Sequence, residues 1–367
     1  MKVSLLTIHS FRNMTQLVFE PGDGANIIVG DNAQGKTNIL EAIWLFSGSK
    51  SFRGAKDGDY IPFGGQNVSL TLDFTSNGRE QTASIVLDGK KKRVLLNGIS
   101  RESRAALAGA FYTVIFSPDH LLLIKQGPEH RRRMLDSFLC QISPKYANVL
   151  DGYYRILQQR NTLLKDVGSH PYLLDTLDVW DKSLVEYGSY ITTARAGYIA
   201  KLAQKAGEIY TGISGEAERL EICYCSAAAG GEEQADRTRC REAMHRALKD
   251  CRREDIKTGM TTVGPHRDDV EILLNEKRAR SFGSQGQQRS CVLALKLAEC
   301  ELLQEISGEA PVVLLDDVTS ELDQYRRSYL LNHLHGKQVF ITCCDDAAFA
   351  EMEEGRVFRI HDGKIVS

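Results

Sequence analysis

The order of apolar and polar positions along the chain predicts strands at both ends and helices in between. Near the start, Val3, Leu5 and Thr7 alternate with other residues, as in a half-buried strand. The apolar run Asn26–Val29 is typical of a buried strand, and a helix with one apolar face is expected from Lys36 to about Ser47. Further strands are predicted at Leu17–Phe19, Val68–Phe74, Thr82–Leu87, Val94–Leu96 and Val114–Phe116.

The middle of the chain, from Ser117 to about Asp255, shows mainly helical periodicity. An apolar seam repeats there with alternating spacings of four and three residues, which is a heptad pattern. We expect this seam to pack against helices of the same chain, because a long two-chain coiled coil would need many more heptads. The seam comprises Leu173, Leu177, Trp180, Leu184, Tyr187, Ile191, Ala194 and Tyr198. An arginine-rich helix is predicted from about Glu232 to Arg253.

After Gly264 and Pro265 the alternation of strands and helices returns, so the fold class is predicted to be α/β. A chain of 367 residues exceeds what one apolar core usually serves. We expect one lobe built from both chain ends, residues 1–118 plus 262–367, and a mainly helical insertion at residues 119–261. The later elements are predicted at Val270–Leu274, Gln285–Ile306 (the helix), Val312–Leu315, Val339–Thr342, Val357–Ile360 and Lys364–Val366.

Composition narrows the class of protein. The formal net charge of −2 argues against a uniformly basic nucleic-acid coat but leaves room for a local basic patch. No apolar run approaches the roughly 18–20 residues of a membrane span, and the first residues lack a signal-peptide core, so we expect a cytoplasmic protein with no membrane partner. The nine cysteines form no C-x-x-C pair, which indicates reduced thiols and not a zinc site.

A phosphate-binding loop is predicted at Gly30–Thr37, which matches G-x-x-x-x-G-K-[ST] between a strand and a helix. Glycines let the backbone curl so that its N–H groups face phosphate oxygens, and the following helix presents its positive end. Lys36 is expected to reach the β- and γ-phosphates and Thr37 to ligate Mg²⁺. The predicted nucleotide-binding residues here are Gly30, Asp31, Asn32, Ala33, Gln34, Gly35, Lys36, Thr37 and Asn38.

A carboxylate pair follows the buried strand Val312–Leu315. Strand geometry would point Asp316 and Asp317 to opposite sides. We therefore assign Asp316 to Mg²⁺ and Asp317 to the attacking water, as general base or water-positioning group. Two aspartates after a strand can also simply cap a loop, and it is the phosphate loop that favours the catalytic interpretation.

A second phosphate-reading segment is predicted where the long helix begins. Ser284 is a good N-cap, and serine, glycine and glutamine at a helix start form an anion-binding nest. Many helices begin this way, so the position shortly before the aspartate strand is what strengthens the prediction. The residues concerned are Ser284, Gly286 and Gln287.

The order of these motifs resembles the ABC ATPases, in particular the SMC-like branch whose nucleotide domain is split by an inserted arm. The resemblance covers essentially the whole chain. Two departures stand out. Asp317 replaces the usual glutamate, which implies slow hydrolysis. Ile341–Asp345 lacks the usual switch histidine; His266 is the nearest spare candidate, but a histidine satisfied within its own loop is the favoured interpretation of that residue. The matching segments are Phe11–Asn13, Gly30–Ala42, Ser51–Arg53, Phe116–Asp119, Arg131–Arg133, Tyr154–Lys165, Thr262–Asp269, Gly283–Arg289 and Leu314–Asp323.

The resemblance implies a mechanism and partners. ATP would lie between the phosphate loop of one subunit and Ser284, Gly286 and Gln287 of the other, so ATP would drive homodimerisation and hydrolysis would reset it. For the recombinational-repair members of this branch it implies a weak DNA-stimulated ATPase in the nucleoid. It also implies binding to double-stranded DNA near single-strand junctions, together with RecR and RecO, which help to load RecA.

Basic clusters are the candidate DNA contacts. For each of them a merely solvated face is an open alternative, and Arg53 is also a candidate for contact with the nucleotide. The candidates are Lys50, Arg53, Lys56, Arg131, Arg132 and Arg133, with the Lys90–Arg93 run and the Arg237–Arg253 helix behind them.

Other classes explain less of the pattern. A P-loop kinase or GTPase would account for the phosphate loop but not for the other two motifs. A transporter ATPase would share all three, yet the chain has no membrane-coupling signal and carries the heptad insertion. An ATP-gated DNA scaffold with negligible turnover, or another SMC-like DNA-associated ATPase, stays open.

Overall fold

A computed structural model describes residues 1–89, 91–101, 104–167, 169–318, 322–344 and 355–366. Its strands are β1 (Lys2–Phe11), β2 (Met14–Phe19), β3 (Ala25–Val29), β4 (Asn67–Ser76), β5 (Arg79–Asp88), β6 (Lys91–Leu96), β7 (Ile99–Arg101), β8 (Thr113–Phe116), β9 (Leu220–Cys225), β10 (Asp269–Leu274), β11 (Lys277–Arg278), β12 (Val312–Asp316), β13 (Val339–Cys343), β14 (Gly355–His361) and β15 (Lys364–Ile365). Its α-helices are α1 (Lys36–Leu45), α2 (Leu122–Lys125), α3 (Pro128–Ile142), α4 (Pro144–Asp166), α5 (Leu177–Ser214), α6 (Arg237–Thr258), α7 (Ala279–Phe282), α8 (Gln285–Ser307) and α9 (Gln324–His333).

The central sheet has the strand order β15-β14-β3-β13-β12-β8 and joins both ends of the chain. Strands β14, β3, β13, β12 and β8 run parallel, and β15 is antiparallel to β14. Every residue of β3, β12 and β13 is buried. Their apolar runs have this character because a parallel sheet is covered on both faces. The α/β class and the strands predicted from these runs are confirmed.

Alternate residues of the central sheet face two apolar cores. Ile28, Leu314 and Phe340 pack into one core with α1 and the antiparallel sheet β2-β1-β4-β5-β6-β7. Ile27 and Ile341 face the other core, which is built mainly from helices. The sheet is therefore the middle layer of the molecule, and the carboxyl ends of its parallel strands lie at one common edge.

The predicted phase of β1 is wrong beyond its start. The register with β4 shifts between Val3 and Leu5, and after that shift Leu6 and Ile8 are buried while Leu5 and Thr7 are only partly buried. A β-bulge of this kind inserts one residue, so the side chains that follow change faces. The strand itself was predicted correctly.

The heptad seam lies on α5, a helix of 38 residues that packs against α4, α6, α8 and β9 of the same chain. Leu184, Ile191 and Tyr198 are buried in the helical core, which confirms packing within the chain for these positions. Leu173 lies outside the helix, in the 3-10 turn Pro171–Thr176. In the part of the chain that the structure describes, no helix combines the length and the apolar character of a membrane span.

Two elements in the middle of the chain differ from their predictions. Strand β9 was not predicted, and it pairs with β10 to form the sheet β11-β10-β9. Helix α6 begins later than expected, at Arg237, because Asp236 caps it by accepting a hydrogen bond from the Arg239 N–H. The β9–β10 pairing crosses the predicted boundary at residue 262, and the division into lobe and insertion stays a prediction.

Candidate nucleotide site

The predicted phosphate loop lies between β3 and α1, at the carboxyl edge of the central sheet. Gly35 has φ 106° and Ala33 has φ 66°, so the backbone curls through the left-handed region. A Cβ atom at Gly30 would lie 2.5 Å from the carbonyl oxygen of Ile360, which explains why only glycine fits there. The loop therefore has the backbone shape that an anion-binding nest requires.

Lys36 is almost fully buried at 4% exposure, and its ammonium group folds back over the loop. Its Nζ donates to the carbonyl oxygens of Gly30 at 2.5 Å and Asp31 at 3.1 Å. The Cys344 thiol lies 3.6 Å from the same nitrogen and 3.3 Å from Asn32 Oδ1. The positive charge of Lys36 is thus fixed at the centre of the loop.

The remaining loop residues are tied to neighbouring turns. The side chain and carbonyl of Gln34 accept hydrogen bonds from the backbone N–H groups of Asp362 and Gly363. Asn38 donates to the Asn13 side chain at 2.8 Å, and Asn13 in turn donates to the Ala33 carbonyl oxygen at 3.4 Å. These contacts tie the loop to the turns on either side of it.

A hydroxyl–carboxylate cluster forms beside the loop. Thr37 Oγ1 and Thr342 Oγ1 both donate to Asp316 Oδ1, at 2.7 Å and 2.9 Å. The three residues meet because β3, β13 and β12 are adjacent parallel strands that end at the same edge. Burial raises the pKa of the Asp316 carboxyl group, against the opposite effect of the two hydroxyl bonds. Thr342 was not predicted, since nothing in its local sequence marks it.

This cluster suits Mg²⁺ better than a transition metal. Mg²⁺ favours oxygen ligands and takes one or two carboxylates together with water and phosphate oxygens, which Asp316 and the Thr37 hydroxyl group match. The residues that the structure describes contain no group of three or more His, Cys, Asp or Glu side chains able to hold a metal ion.

Asp317 is positioned differently from its prediction. It follows the last residue of β12 and has φ 51°, so its direction is set by a left-handed backbone and not by strand alternation. Its N–H donates to Thr342 Oγ1 at 3.0 Å, next to Asp316. The prediction that strand geometry points Asp316 and Asp317 to opposite sides is therefore wrong in its premise, because only Asp316 belongs to the strand. Ser320 and Glu321 of the following motif lie outside the described residues.

The predicted N-cap at Ser284 is present. Ser284 Oγ accepts from the Gln287 N–H at 3.2 Å, and Gln287 Oε1 accepts from the Ser284 N–H at 2.6 Å, which is a capping box. At Gly286 a Cβ atom would lie 3.3 Å from Arg326 Nη2 of α9. Within one chain, no hydrogen bond between described residues joins these three to the phosphate loop.

Arg53 lies at the nucleotide site. Its Nη1 donates to the Asn38 side chain at 3.0 Å and is 3.6 Å from the carboxylate of Glu41. Glu41 is fully buried and also accepts two hydrogen bonds from Arg12, at 3.0 Å and 2.9 Å. This placement favours nucleotide contact over DNA contact for Arg53. Sequence reasoning did not find Glu41, although it lies one helical turn after Thr37.

The prediction of DNA contact is wrong for Arg131. The residue is buried, and its guanidinium group pairs with both carboxylate oxygens of Asp269, at 2.6 Å and 2.9 Å. The same group also donates to the Leu123 and Gln126 carbonyl oxygens. Four of its five N–H donors are bound inside the fold, which argues against a role in DNA contact.

The other basic candidates lie nearer the surface. Lys50, Arg132 and Arg133 line one cavity of about 310 Å³, where Arg132 donates to the Asp268 carbonyl and Arg133 pairs with Glu129. Lys56 is exposed. Several arginines of α6 pair with surface carboxylates: Arg237 and Arg241 with Glu186, Arg246 with Glu233, and Arg252 with Asp178. In the Lys90–Arg93 run, Lys92 pairs with Asp57, and Lys90 lies outside the described residues.

His266 has a structural environment. Its Nδ1 is 2.7 Å from the Tyr153 hydroxyl and its Nε2 is 3.0 Å from the Thr261 carbonyl oxygen. The carbonyl can only accept, so Nε2 carries the proton and the tyrosine donates to Nδ1. Burial lowers the pKa of His266 to about 4. Both ring nitrogens are therefore satisfied away from the loop.

Comparison with known proteins agrees with this geometry. The family model described as the RecF/RecN/SMC N terminal domain matches residues 2–365. The DNA replication and repair protein RecF of Ruminiclostridium cellulolyticum is 40% identical over 373 residues, covering 100% of both chains. The chain belongs to the RecF family.

Two solved structures show the fold. A structure of the recombination mediator protein RecF-ATP in the RecFOR pathway aligns with a TM-score of 0.91 and 38% identity, covering 99% of this chain and 96% of that one. The Smc head domain of Pyrococcus furiosus, bound to the C-terminal domain of ScpA, aligns with a TM-score of 0.54 and 17% identity over 100% and 96%. The fold is that of an SMC-like ABC ATPase, as the order of motifs predicted.

Proposed function

We propose that the protein is an ATP-dependent DNA-binding ATPase of recombinational repair and replication-fork maintenance. One observation carries the proposal: Thr37, Thr342 and Asp316 converge beside a phosphate loop whose lysine is buried at its centre. This arrangement supplies a nest for phosphates, a cation for their charge and oxygen ligands for a metal ion. The RecF relatives support its assignment to ATP and to DNA repair.

Each predicted site residue has a role in this proposal. Residues Gly30 to Asn38 hold the phosphates, with Lys36 on the β- and γ-phosphates. Thr37 and Asp316 hold Mg²⁺, which when bound neutralises phosphate charge. Asp317 orients the attacking water or accepts its proton. Because an aspartate reaches less far than a glutamate, we expect weak turnover, increased by DNA.

We call Ser284, Gly286 and Gln287 the signature residues, and in this proposal they act between two copies of the chain. Ser284, Gly286 and Gln287 lie at the positive end of α8, the long helix of 23 residues, where backbone N–H groups favour an anion. They make no hydrogen bond to their own phosphate loop, so we place them over the γ-phosphate bound by a second copy. ATP then links two subunits, and loss of the γ-phosphate releases them.

The dimer would hold double-stranded DNA near single-strand junctions, and RecR, with RecO and RecA downstream, would be its partners. We place ATP in the lobe of residues 1–118 plus 262–367 and assign the arm to residues 119–261. Lys50, Arg132 and Arg133 are the remaining basic candidates for DNA contact, together with Lys56. The similarity to RecF, a recombination mediator protein of the RecFOR pathway, supports this proposal.

Sizing the protein with ADP, with ATP, and with ATP plus duplex DNA tests the proposal. We expect monomers with ADP, dimers with ATP and a dimer–DNA complex in the third sample. A monomer in all three would contradict it. Phosphate release with and without duplex DNA separates a DNA-stimulated ATPase from an ATP-gated scaffold, in which turnover stays negligible in both.

A further inference from the structure

The side chain of the signature glutamine is held in one orientation by two contacts. Gln287 Oε1 accepts from the Ser284 N–H at 2.6 Å, and Gln287 Nε2 donates to a carboxylate oxygen of Glu218. A flipped amide would place its NH₂ group against the Ser284 N–H and its oxygen against a carboxylate. The acidic partner therefore fixes which end of the amide faces the helix start.

Glu218 connects this glutamine to the end of the long helix α5. It lies in the short connection between α5 and β9, and its second carboxylate oxygen accepts from the Tyr210 hydroxyl at 2.7 Å. Tyr210 is a fully buried residue of the last turns of α5. Both oxygens of one carboxylate are thus used, one by the signature helix and one by α5.

The same end of α5 also forms hydrogen bonds with α9, the helix that follows the aspartate pair. Tyr325 donates to the Gly212 carbonyl oxygen and Tyr329 to the Ile209 carbonyl oxygen, both at 3.2 Å. Arg326, between them, donates to Ser290 of α8 at 2.8 Å. The end of α5 is therefore joined to α9 and, through Arg326, to α8. Among the residues that the structure describes, Glu218 is the acceptor for Gln287 Nε2.

From these contacts we propose that Glu218 is a positioning residue that couples α5 to the signature. It acts through Gln287 and touches no nucleotide. A shift of α5, which extends about 57 Å at 1.5 Å per residue, moves Tyr210 and Glu218 and with them the amide of Gln287. The inference rests on the proposed function, because it assigns Gln287 to an ATP-dependent dimer.

Three substitutions test this role. Glu218→Ala removes both contacts, and we expect ATP-driven dimerisation to weaken roughly tenfold, the loss typical of one hydrogen bond to a charged group. Glu218→Gln keeps an oxygen for Gln287 Nε2, so we expect it to stay within about threefold of wild type. Tyr329→Phe is the matched control, since it also removes one contact to the end of α5 but does not touch the signature.

The readouts are the dimerisation constant from sedimentation with ATP, the affinity of the monomer for a fluorescent ATP analogue, and thermal unfolding. Nucleotide affinity should stay unchanged in all three variants, because the phosphate loop keeps its contacts. If Glu218→Ala fails to fold, Tyr210→Phe replaces it: this variant frees the carboxylate from α5 and should weaken dimerisation by about threefold.

Each remaining result contradicts a distinct claim. Wild-type protein that stays monomeric with ATP overturns the proposed function and this inference with it. Wild-type dimers with unchanged Glu218→Ala dimers overturn only the coupling. Equal losses of dimerisation in Glu218→Ala and Glu218→Gln would show that the charge of Glu218 matters and not its contact with Gln287. A loss in Tyr329→Phe as large as in Glu218→Ala would show that general packing at the end of α5 matters. Either result would also overturn the coupling.

Discussion

At the scale of one residue, the proposed role of Asp317 predicts that ATP binding and ATP hydrolysis can be separated. Its left-handed backbone, with φ 51°, suits aspartate and asparagine equally, so Asp317→Asn should keep the fold. In the proposed mechanism, this substitution removes the carboxylate that would orient the attacking water. We expect ATP-driven dimers in sedimentation runs and phosphate release reduced roughly 100-fold, as for loss of a general base.

Lys36→Ala is the companion of that variant. It removes the ammonium group that donates to the Gly30 and Asp31 carbonyls and would meet the phosphates. We expect neither dimerisation nor turnover with ATP. If both variants formed the same dimers without nucleotide, ATP would not control assembly and the proposed switch would be wrong.

The lowered pKa of the buried His266 predicts that folding stability depends on pH. Its pKa is lowered to about 4 by burial, while 6.5 is the ordinary value that applies to the unfolded chain. Between these values the unfolded chain binds a proton that the folded chain does not, so folding stability falls as pH decreases from about 6.5 to about 4. The loss is at most about 3.5 kcal/mol, from about 1.4 kcal/mol for each of about 2.5 pKa units.

Urea unfolding at pH 7.5 and pH 5 would measure this effect. His266→Gln can still accept from Tyr153 and donate to Thr261, so it should flatten the dependence. His335→Gln, at an exposed histidine, is the control and should leave it unchanged. An identical pH dependence in wild type and His266→Gln would exclude His266 as its source.

At the scale of elements, a buried ion network joins α4, α5 and α6. Arg160 is fully buried and donates to Asp181 and Asp255, both at 2.7 Å. Asp255→Asn leaves the arginine charge only partly compensated, and removal of one partner from a buried pair costs about 3–5 kcal/mol. We therefore expect a loss of that size in the free energy of urea unfolding.

The same substitution at an exposed pair provides the comparison. Asp178 pairs with Arg252 at 2.7 Å but is 67% exposed, and exposed pairs contribute only about 0–1 kcal/mol. Asp178→Asn should therefore change stability little. Equal losses in the two variants would mean that burial does not set the strength of the α4–α5–α6 network.

The elements show how far local patterns reach. The runs that became β3, β12 and β13 were predictable because strands buried on both faces are apolar throughout. Strand β9 was missed because its exposed positions include Cys223 and Cys225, which read as apolar and hide the alternation. The bulge in β1 and the start of α6 at Arg237 are local features of one or two residues, so the spacing of apolar residues could not predict them.

In the candidate site, too, the residues that local sequence motifs could predict differ from those that only the fold brings together. The phosphate loop and Asp316 carry their chemistry in contiguous residues, so motif reasoning found them. Thr342 and Glu218 reach the site only through strand order and helix packing. Arg131 was misjudged because its partner, Asp269, is 138 residues away, and a run of arginines does not reveal which one is buried.

At the scale of the whole molecule, the charge distribution limits where the proposed DNA contact can lie. The formal net charge is −2, so attraction must come from a local patch and not from the overall field. Most described arginines of α6 are neutralised by neighbouring carboxylates, as Arg241 is by Glu186 at 2.9 Å. Near the end of α1, Lys50, Arg132 and Arg133 line a cavity together with Glu129, Asp136 and Asp151, and Lys50 is the exposed cation among them.

Salt titration of duplex DNA binding with ATP tests that cavity. Each phosphate contact releases counterions, so the logarithm of the binding constant should fall linearly with the logarithm of salt concentration, and removing one contact should reduce the slope by about 1. We expect this for Lys50→Ala, whose side chain is exposed at the cavity, and not for Arg241→Ala on α6. Fluorescence anisotropy at several salt concentrations measures both. If the binding constant of the wild type did not depend on salt, DNA binding through phosphates would be contradicted. Equal slopes in wild type and Lys50→Ala would show that DNA binds at another face of the protein.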